Sequence, residues 1–157
     1  MNDLSDTYSK EVLCTYEGES YSVRDNGAIL RHSRKGFHKR RKDDIWTFGT
    51  INKENGYLLL SGVRVHRIVA TAFLGEAPTK EHIVDHINTN KQDNRPENLR
   101  WVTKLENIIL NPITCKKIMW MTGKPIDYVL QHIEILHDIN LSPDMLCHLS
   151  MTKQNLI

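Results

Sequence analysis

The chain has 157 residues, of which 25% are charged and 39% hydrophobic, a composition typical of one soluble globular domain, or of one with a small appendage. It contains no apolar run of membrane-spanning length, and its three widely spaced cysteines form no CxxC pair, which excludes a disulfide framework and a structural zinc knuckle. The acidic start, MNDLSDTYSKEVL, lacks the apolar core of a secretory signal, so we expect a cytoplasmic protein.

The net charge of +2 conceals a dense basic segment, RHSRKGFHKRRK, at residues 31–42. Such a cluster is the electrostatic footprint of a polyanion, most simply a nucleic-acid backbone, and a solvated basic loop is the alternative. Taken alone, the segment does not distinguish DNA from RNA. The expected backbone contacts are its seven cations: Arg31, Arg34, Lys35, Lys39, Arg40, Arg41 and Lys42.

The first half of the chain predicts short strands joined by glycine turns. Residues 1–15 are expected to be a weakly structured lead-in. The stretch 20–33 has apolar residues on both sides of Asn26-Gly27, a pair that supplies the positive φ values of a tight hairpin turn. A second pair of strands is predicted in TFGTINKENGYLLLSG, where Asn55-Gly56 and Ser61-Gly62 mark the turns.

The hydrophobic period then changes from that of a strand to that of a helix. In VHRIVATAFLG the apolar residues recur at helical spacing, and Gly75 can end the helix in the left-handed conformation. His66 and Arg67 lie at its start, where the amides of a helix N-terminus attract phosphate. We consider both as phosphate contacts, with helix-end packing and a surface charge as the alternative.

The stretch 82–110 predicts a strand (HIVDHI), a long polar loop (NTNKQDNRPE), a return strand (NLRWV) and a helix. Thr103 and Glu106 form a T-x-x-E capping box at the helix start, and Pro112 ends or kinks that helix. Trp101 alternates with a charged neighbour along the return strand, which predicts a core position for it.

The tail predicts further helices. Two are expected on either side of Gly123, with Pro125 at the first position of the second, and a last short helix is expected from Ser142-Pro143. The apolar stripe of this tail is typical of a packed helix face, and a DNA-reading helix-turn-helix is the alternative.

Asp85 and His86 stand directly before the asparagine-rich loop. Hydrolysis of a phosphodiester requires a base for the attacking water, stabilisation of the phosphorane charge and neutralisation of the leaving alkoxide. A histidine can be the base, and a hard cation on oxygen ligands such as Asp85 and the Asn107 amide can do the rest. Because neighbours on a strand point to opposite faces, the spacing alone leaves both a metal site and a polar hairpin open.

The string VDHINTNKQDNRPENLRWVTKLEN resembles the HNH endonucleases, most closely their homing-endonuclease-like branch. YSVRDNGAILRHS and NGYLLLSGVRVHRIVATAFLG resemble the module that precedes such a unit, so the resemblance covers roughly residues 16–110. It implies an α+β fold with N-terminal β-hairpins and a short helix, then a ββα-metal HNH unit, then a small helical tail. The corresponding segments are residues 1–75, 76–111 and 112–157.

The resemblance also implies roles for the site residues. His86 is matched to the general base, Asp85 and Asn107 to metal ligands, and Asn98 to the asparagine that pins the hairpin by bonding its backbone. An amide at position 107, where many relatives carry histidine, favours Mg²⁺ or Mn²⁺ over Zn²⁺. Relatives usually have Asp-Gly after DHI, whereas this chain has Asn88-Thr89.

The function implied is metal-dependent cleavage of double-stranded DNA, leaving a 5′-phosphate and a 3′-hydroxyl. Residues 31–42 would hold the DNA together with His66 and Arg67, and neither a membrane nor a protein partner is expected. The alternative is a non-catalytic DNA-binding protein that keeps an HNH-shaped scaffold. Retention of all four site residues favours the enzyme.

Overall fold

The structure is a computed structural model, and it describes residues 6–132. The short helix expected from Ser142-Pro143 lies outside the described residues. The strands are β1 (Glu11–Tyr16), β2 (Glu19–Arg24), β3 (Ile29–Arg31), β4 (Thr50–Ile51), β5 (Leu58–Leu60), β6 (Val63–Arg64), β7 (Ile83–His86) and β8 (Leu99–Val102). The α-helices are α1 (Val65–Leu74), α2 (Lys104–Leu110), α3 (Pro112–Thr122) and α4 (Ile126–Gln131).

The chain divides into two compact units. Of the described residues, the first unit contains 6–78 and His86–Trp101, and the second contains Thr79–Asp85 and 102–132. The division falls within β7, between Asp85 and His86. The expected metal ligand Asp85 and the expected base His86 therefore belong to different units.

The first sheet contains β1, β2 and β3 in that order, all antiparallel. The expectation that residues 1–15 are weakly structured was wrong for residues 11–15, because β1 pairs along its whole length with β2. Val12, Cys14 and Tyr16 alternate with exposed neighbours and are half-buried. The Cys14 thiol lies 3.9 Å from the carbonyl oxygen of Ile68, so this face of β1 packs against α1.

The second sheet contains β4, β5 and β6, also antiparallel, and confirms the expected second pair of strands. Its close packing against α1 requires a glycine at position 49. A Cβ there would lie 2.8 Å from Cγ2 of Val65, and the residue has a φ of +98°. Only glycine combines that backbone conformation with that approach.

The helix α1 confirms the amphipathic pattern, since Val65, Ile68 and Val69 are fully buried in the core of the first unit. Gly75 has the positive φ of 84° that a helix-ending glycine allows, but its ψ of 178° is extended and not left-handed. The Gly75 carbonyl accepts a hydrogen bond of 3.0 Å from the Trp101 indole N–H. Trp101 is half-buried and does not occupy the core position expected for it.

The strands β7 and β8 form a two-stranded sheet, with a 3-10 helix (Pro96–Asn98) before β8 and α2 after it. This ββα-like unit and the mixed helix-and-strand architecture confirm the expected fold class. The Thr103 hydroxyl accepts from the Glu106 N–H, and the Glu106 carboxylate accepts from the Thr103 N–H, as the capping box predicts. The hydrogen bond that the Thr103 N–H donates to the carboxylate lowers the pKa of Glu106.

The helices of the second unit pack around a small apolar core. Asn111 separates α2 from α3, which begins at Pro112 and ends at Gly123 in the left-handed conformation. Pro125 is the N-cap of α4 and not its first helical residue. Of the helices that the structure describes, none is long and apolar enough to span a membrane. The core residues are Ile108, Cys115, Ile118, Ile126 and Val129.

Candidate active site

His86, the expected base, ends β7 and is 5% exposed. Its Nε2 lies 2.8 Å from the side-chain oxygen of Asn94, which is buried as well. Because an amide oxygen only accepts, Nε2 must carry the hydrogen and donate it. In the neutral form of His86 the proton-accepting lone pair is then at Nδ1.

Asn94 is held in place by the turn between β2 and β3. A Cβ on Gly27 would lie 3.2 Å from the backbone carbonyl carbon and oxygen of Asn94, and Gly27 has a φ of +90°. The hairpin turn thus packs directly against the residue that bonds His86. The sequence predicts Gly27 as a turn residue, but no local signal identifies Asn94 as the partner of a histidine eight positions earlier.

Asn98 bonds the start and the middle of the polar loop that follows β7. Its side-chain oxygen accepts from the Asn88 N–H at 2.9 Å, and its amide nitrogen donates to the Asp93 carbonyl at 2.8 Å. Asp93 also pairs with Arg95 at 2.7 Å, and that pair lowers the pKa of Asp93 to about 2. Thr89, where relatives usually have glycine, has a φ of +65°, which is unfavourable for a β-branched residue.

Asp85 and Asn107 are both buried in the second unit, on β7 and α2 respectively. The amide nitrogen of Asn111 lies 3.4 Å from Oδ1 of Asp85. The site offers carboxylate and amide oxygens, and the described residues contain no group of three or more His, Cys, Asp or Glu that could hold a metal ion. A donor set of this chemistry fits a hard ion such as Mg²⁺ or Mn²⁺, which takes few protein ligands, and not a closed zinc site.

His66, an expected phosphate contact, is instead 1% exposed, so this expectation was wrong for the folded chain. Its ring meets those of Tyr57 and His86 edge-on, with centroid distances of 5.0 and 5.1 Å. Burial, followed by repulsion from His86 and nearby arginines, lowers the pKa of His66 well below 6.5. A neutral imidazole therefore packs against the candidate base.

Two cations that the sequence did not single out lie over the buried Tyr57 ring, whose centroid is 6.0 Å from that of His86. The Arg64 guanidinium is 4.8 Å and the Lys91 ammonium 5.1 Å from the Tyr57 centroid. Lys91 also donates to the Asn55 carbonyl at 2.9 Å. Arg67 lies beside the Tyr16 hydroxyl, whose pKa is raised by burial and partly lowered again by this arginine.

The basic segment 31–42 is neutralised in part by acids outside it. Arg31 pairs with Asp43 at 2.7 Å, and both are buried, so Arg31 was wrongly expected to contact DNA. Arg40 bonds Glu19 at 2.8 Å and Asp43 at 3.0 Å. Arg34 also pairs with Glu19. Lys39 pairs with Asp44 at 3.2 Å.

These ion pairs shift the acids strongly. Hydrogen bonds from Arg40 and Arg34 lower the pKa of Glu19 to about 2. Burial opposes ionisation of Asp43, but its bonds to Arg40 and Arg31 still lower its pKa to about 2. Within the described part of the chain, the exposed cations of the segment without an ion pair are Lys35, Arg41 and Lys42.

Comparison with known proteins places the similarity on the site. Residues 63–108 match the family model described as HNH endonuclease. An uncharacterized HNH endonuclease of Acanthamoeba polyphaga mimivirus is 48% identical over 46 residues, covering 29% of this chain and 12% of the relative. A second from the same virus is 38% identical over 72 residues, covering 41% and 22%.

The DNA endonuclease I-HmuI of Bacillus phage SP01 is 33% identical over 93 residues, which are 58% of this chain and 45% of that protein. The chain thus spans less than half the length of these curated relatives. A solved structure of DNA binding and cleavage by the HNH homing endonuclease I-HmuI aligns with a TM-score of 0.39 and 24% identity. That alignment covers 74% of this chain and 62% of the other.

Proposed function

We propose that this chain is a metal-dependent endonuclease that hydrolyses double-stranded DNA, because residues 63–108 match the HNH endonuclease family model. The observation that carries the proposal is the buried His86, whose Nε2–H bonds Asn94 at 2.8 Å within this matched segment. This bond fixes one tautomer and one ring orientation, as a general base requires.

In the proposed reaction Nδ1 of His86 takes a proton from a water molecule as the water oxygen bonds to phosphorus. The bond from phosphorus to the 3′-oxygen then breaks, and that oxygen takes a proton from solvent. The products are a 5′-phosphate and a 3′-hydroxyl. Asn98 acts indirectly, since its hydrogen bonds hold the loop that carries Asn94.

Asp85 and Asn107 are the residues proposed to hold Mg²⁺ or Mn²⁺. The bound cation would supply positive charge for the phosphorane and for the departing oxygen. Asp85 is covalently adjacent to His86, so a ligand and the base come from consecutive residues of one strand.

We assign the DNA backbone contacts to exposed cations that have no internal acid partner among the described residues, Lys35, Arg41 and Lys42. Arg64 and Lys91 are added because a shared aromatic ring holds both of them beside His86. Backbone contact needs charge and not a fixed side-chain geometry, so these residues position DNA and do not read its sequence.

Incubation with supercoiled plasmid, with Mg²⁺ or with EDTA, tests the proposal. We expect nicked or linear product with Mg²⁺ and none in EDTA. The His86→Ala variant should lose roughly 10²–10⁴-fold in rate while its affinity for duplex DNA is retained. Cleavage by His86→Ala at the wild-type rate would contradict the assigned base.

Two further outcomes concern the alternatives. Tight binding of plasmid without cleavage, in Mg²⁺ and in Mn²⁺, would support the non-catalytic DNA-binding protein. Full activity in EDTA, or zinc that co-purifies at one ion per chain, would contradict the metal assignment.

A further inference from the structure

Asn111 lies in the second unit, between α2 and α3, and its side chain has two hydrogen-bonding roles there. Its oxygen accepts the Ile113 N–H at 3.2 Å and so caps α3. Its amide nitrogen donates toward Oδ1 of Asp85 at 3.4 Å, and the bond is buried. One amide therefore joins the start of a helix to the carboxylate proposed as a metal ligand.

The chemical type of this contact matters for a cation site. A buried arginine or lysine beside Asp85 would neutralise the carboxylate and compete with a metal ion. An amide donor carries no net charge, so it restricts the rotation of the carboxylate without adding a positive charge of its own. Groups that orient metal ligands in this way commonly account for about 10–100-fold in metal affinity.

We propose that Asn111 is a positioning residue for the metal-ligating carboxylate of Asp85, and that it does this independently of its role as the α3 cap. The inference rests on the proposed function, because it assumes that Asp85 binds a divalent cation. It concerns a residue outside the matched segment 63–108.

The two roles of Asn111 can be separated by substitution. Asn111→Ser keeps a hydroxyl that can cap α3, since serine and asparagine are comparable N-caps, but its side chain is too short to reach Asp85. Asn111→Ala removes both roles. Asn90→Ser is the matched control, because Asn90 makes an analogous local bond to the Gln92 N–H in the exposed loop of the first unit.

The measurement is Mn²⁺ affinity by electron paramagnetic resonance, with a duplex DNA present, in a His86→Ala background that prevents cleavage. Free energies of unfolding are measured in EDTA alongside. We expect Asn111→Ser to bind Mn²⁺ about 10–100-fold more weakly while its stability in EDTA equals that of the reference protein. Asn111→Ala should lose both affinity and stability, and Asn90→Ser should keep the reference affinity.

Equal Mn²⁺ affinity of Asn111→Ser and the reference protein would overturn the positioning role and leave the proposed function standing. A loss of stability in EDTA that accounts for the whole loss of affinity would reduce Asn111 to a helix cap. A reference protein that takes up no Mn²⁺ even with DNA would remove the metal centre, and this inference with it.

Discussion

Three asparagines around β7 have the same type of side chain but bond different partners. Asn94 accepts from the imidazole of His86, Asn98 ties the backbone of the polar loop, and Asn111 joins a carboxylate to a helix start. The amide suits each position because it both donates and accepts without titrating. The local environment, and not the residue type, therefore separates a residue that bonds the His86 ring from one that holds the loop.

At this scale we predict that Asn94→Ala lowers the single-turnover cleavage rate about 10²-fold, since a displaced catalytic group commonly costs this much. The affinity for DNA should stay unchanged because Asn94 is buried. Asn94→Asp keeps an acceptor for Nε2 and should retain most activity, with the acidic limb of the pH–rate profile moved to higher pH by the added carboxylate.

The exposed Asn90→Ala variant is the control for this prediction and should cleave at the wild-type rate. If Asn94→Ala also cleaved at that rate, the His86–Asn94 bond would have no role in catalysis.

Among the larger elements, the segment 31–42 is a loop fixed by ion pairs and not a free polycation. Glu19 lies on β2 and Asp43 lies just after the segment, and together they bind Arg31, Arg34 and Arg40. Pairing within the protein removes these charges from the set that can release counterions on DNA binding. The segment presents a smaller, ordered set of cations than its sequence indicates.

We therefore predict that replacing Lys35, Arg41 and Lys42 together with Gln flattens the slope of log K against log salt by up to about three, because each phosphate that is no longer neutralised removes about 0.9 from that slope. Affinity should fall similarly for a specific and a random duplex, because the contacts proposed for these cations are to the DNA backbone. The measurement is duplex affinity in EDTA across a salt series.

The matched control replaces three exposed lysines elsewhere in the chain and should leave the slope nearly unchanged: Lys10, Lys53 and Lys80. Arg40→Gln should lower the free energy of unfolding, because it removes a cation that bonds both Glu19 and Asp43. An unchanged slope of log K against log salt in the triple variant of Lys35, Arg41 and Lys42 would mean that the segment is a solvated loop.

On the scale of the whole molecule, the site residues divide between two units. The first carries the proposed base His86, Asn94 and the cations near Tyr57, and the second carries Asp85, Asn107 and Asn111. The peptide bond between Asp85 and His86 joins the two sets. Each set depends on the packing of its own unit.

Stability of the first unit should depend on pH through His66. Its pKa is lower in the folded state than the ordinary 6.5, so unfolded chains bind the proton more readily. Stability is therefore fully present above pH 6.5 and is lost as pH falls, by up to about 1.4 kcal/mol per pH unit. We predict that His66→Phe reduces this loss between about pH 6.5 and about pH 5 in denaturant unfolding.

His38→Phe, which removes an exposed histidine, should leave the pH dependence as in the wild type. Glu19 and Asp43, whose pKa values are lowered, affect the free energy of unfolding in a separate pH range. Their stabilisation is present above about pH 4.5 and is lost toward about pH 2. An unchanged slope in His66→Phe over the window of the histidine would assign that dependence to other groups.

Local signals by themselves determined much of this protein. Asn26-Gly27 specified a hairpin, the apolar period specified α1, and Thr103 with Glu106 specified the start of α2. The string around Asp85 and His86 also carried the resemblance to the HNH endonucleases, whose family model matches residues 63–108. Each of these patterns depends on residues a few positions apart, so backbone geometry and side-chain spacing are enough to read them.

Only the tertiary structure decided which polar residues meet. In the fold, Arg31 and Arg40 pair with acids, and His66 is buried against His86. Asn94 accepts a hydrogen bond from the imidazole of His86. The tertiary structure also made a strand of β1, whose half-polar alternation becomes regular structure only when β2 and α1 cover it. These contacts join residues far apart in sequence, and their free energy comes from burial and pairing that the fold creates, so no local pattern encodes them.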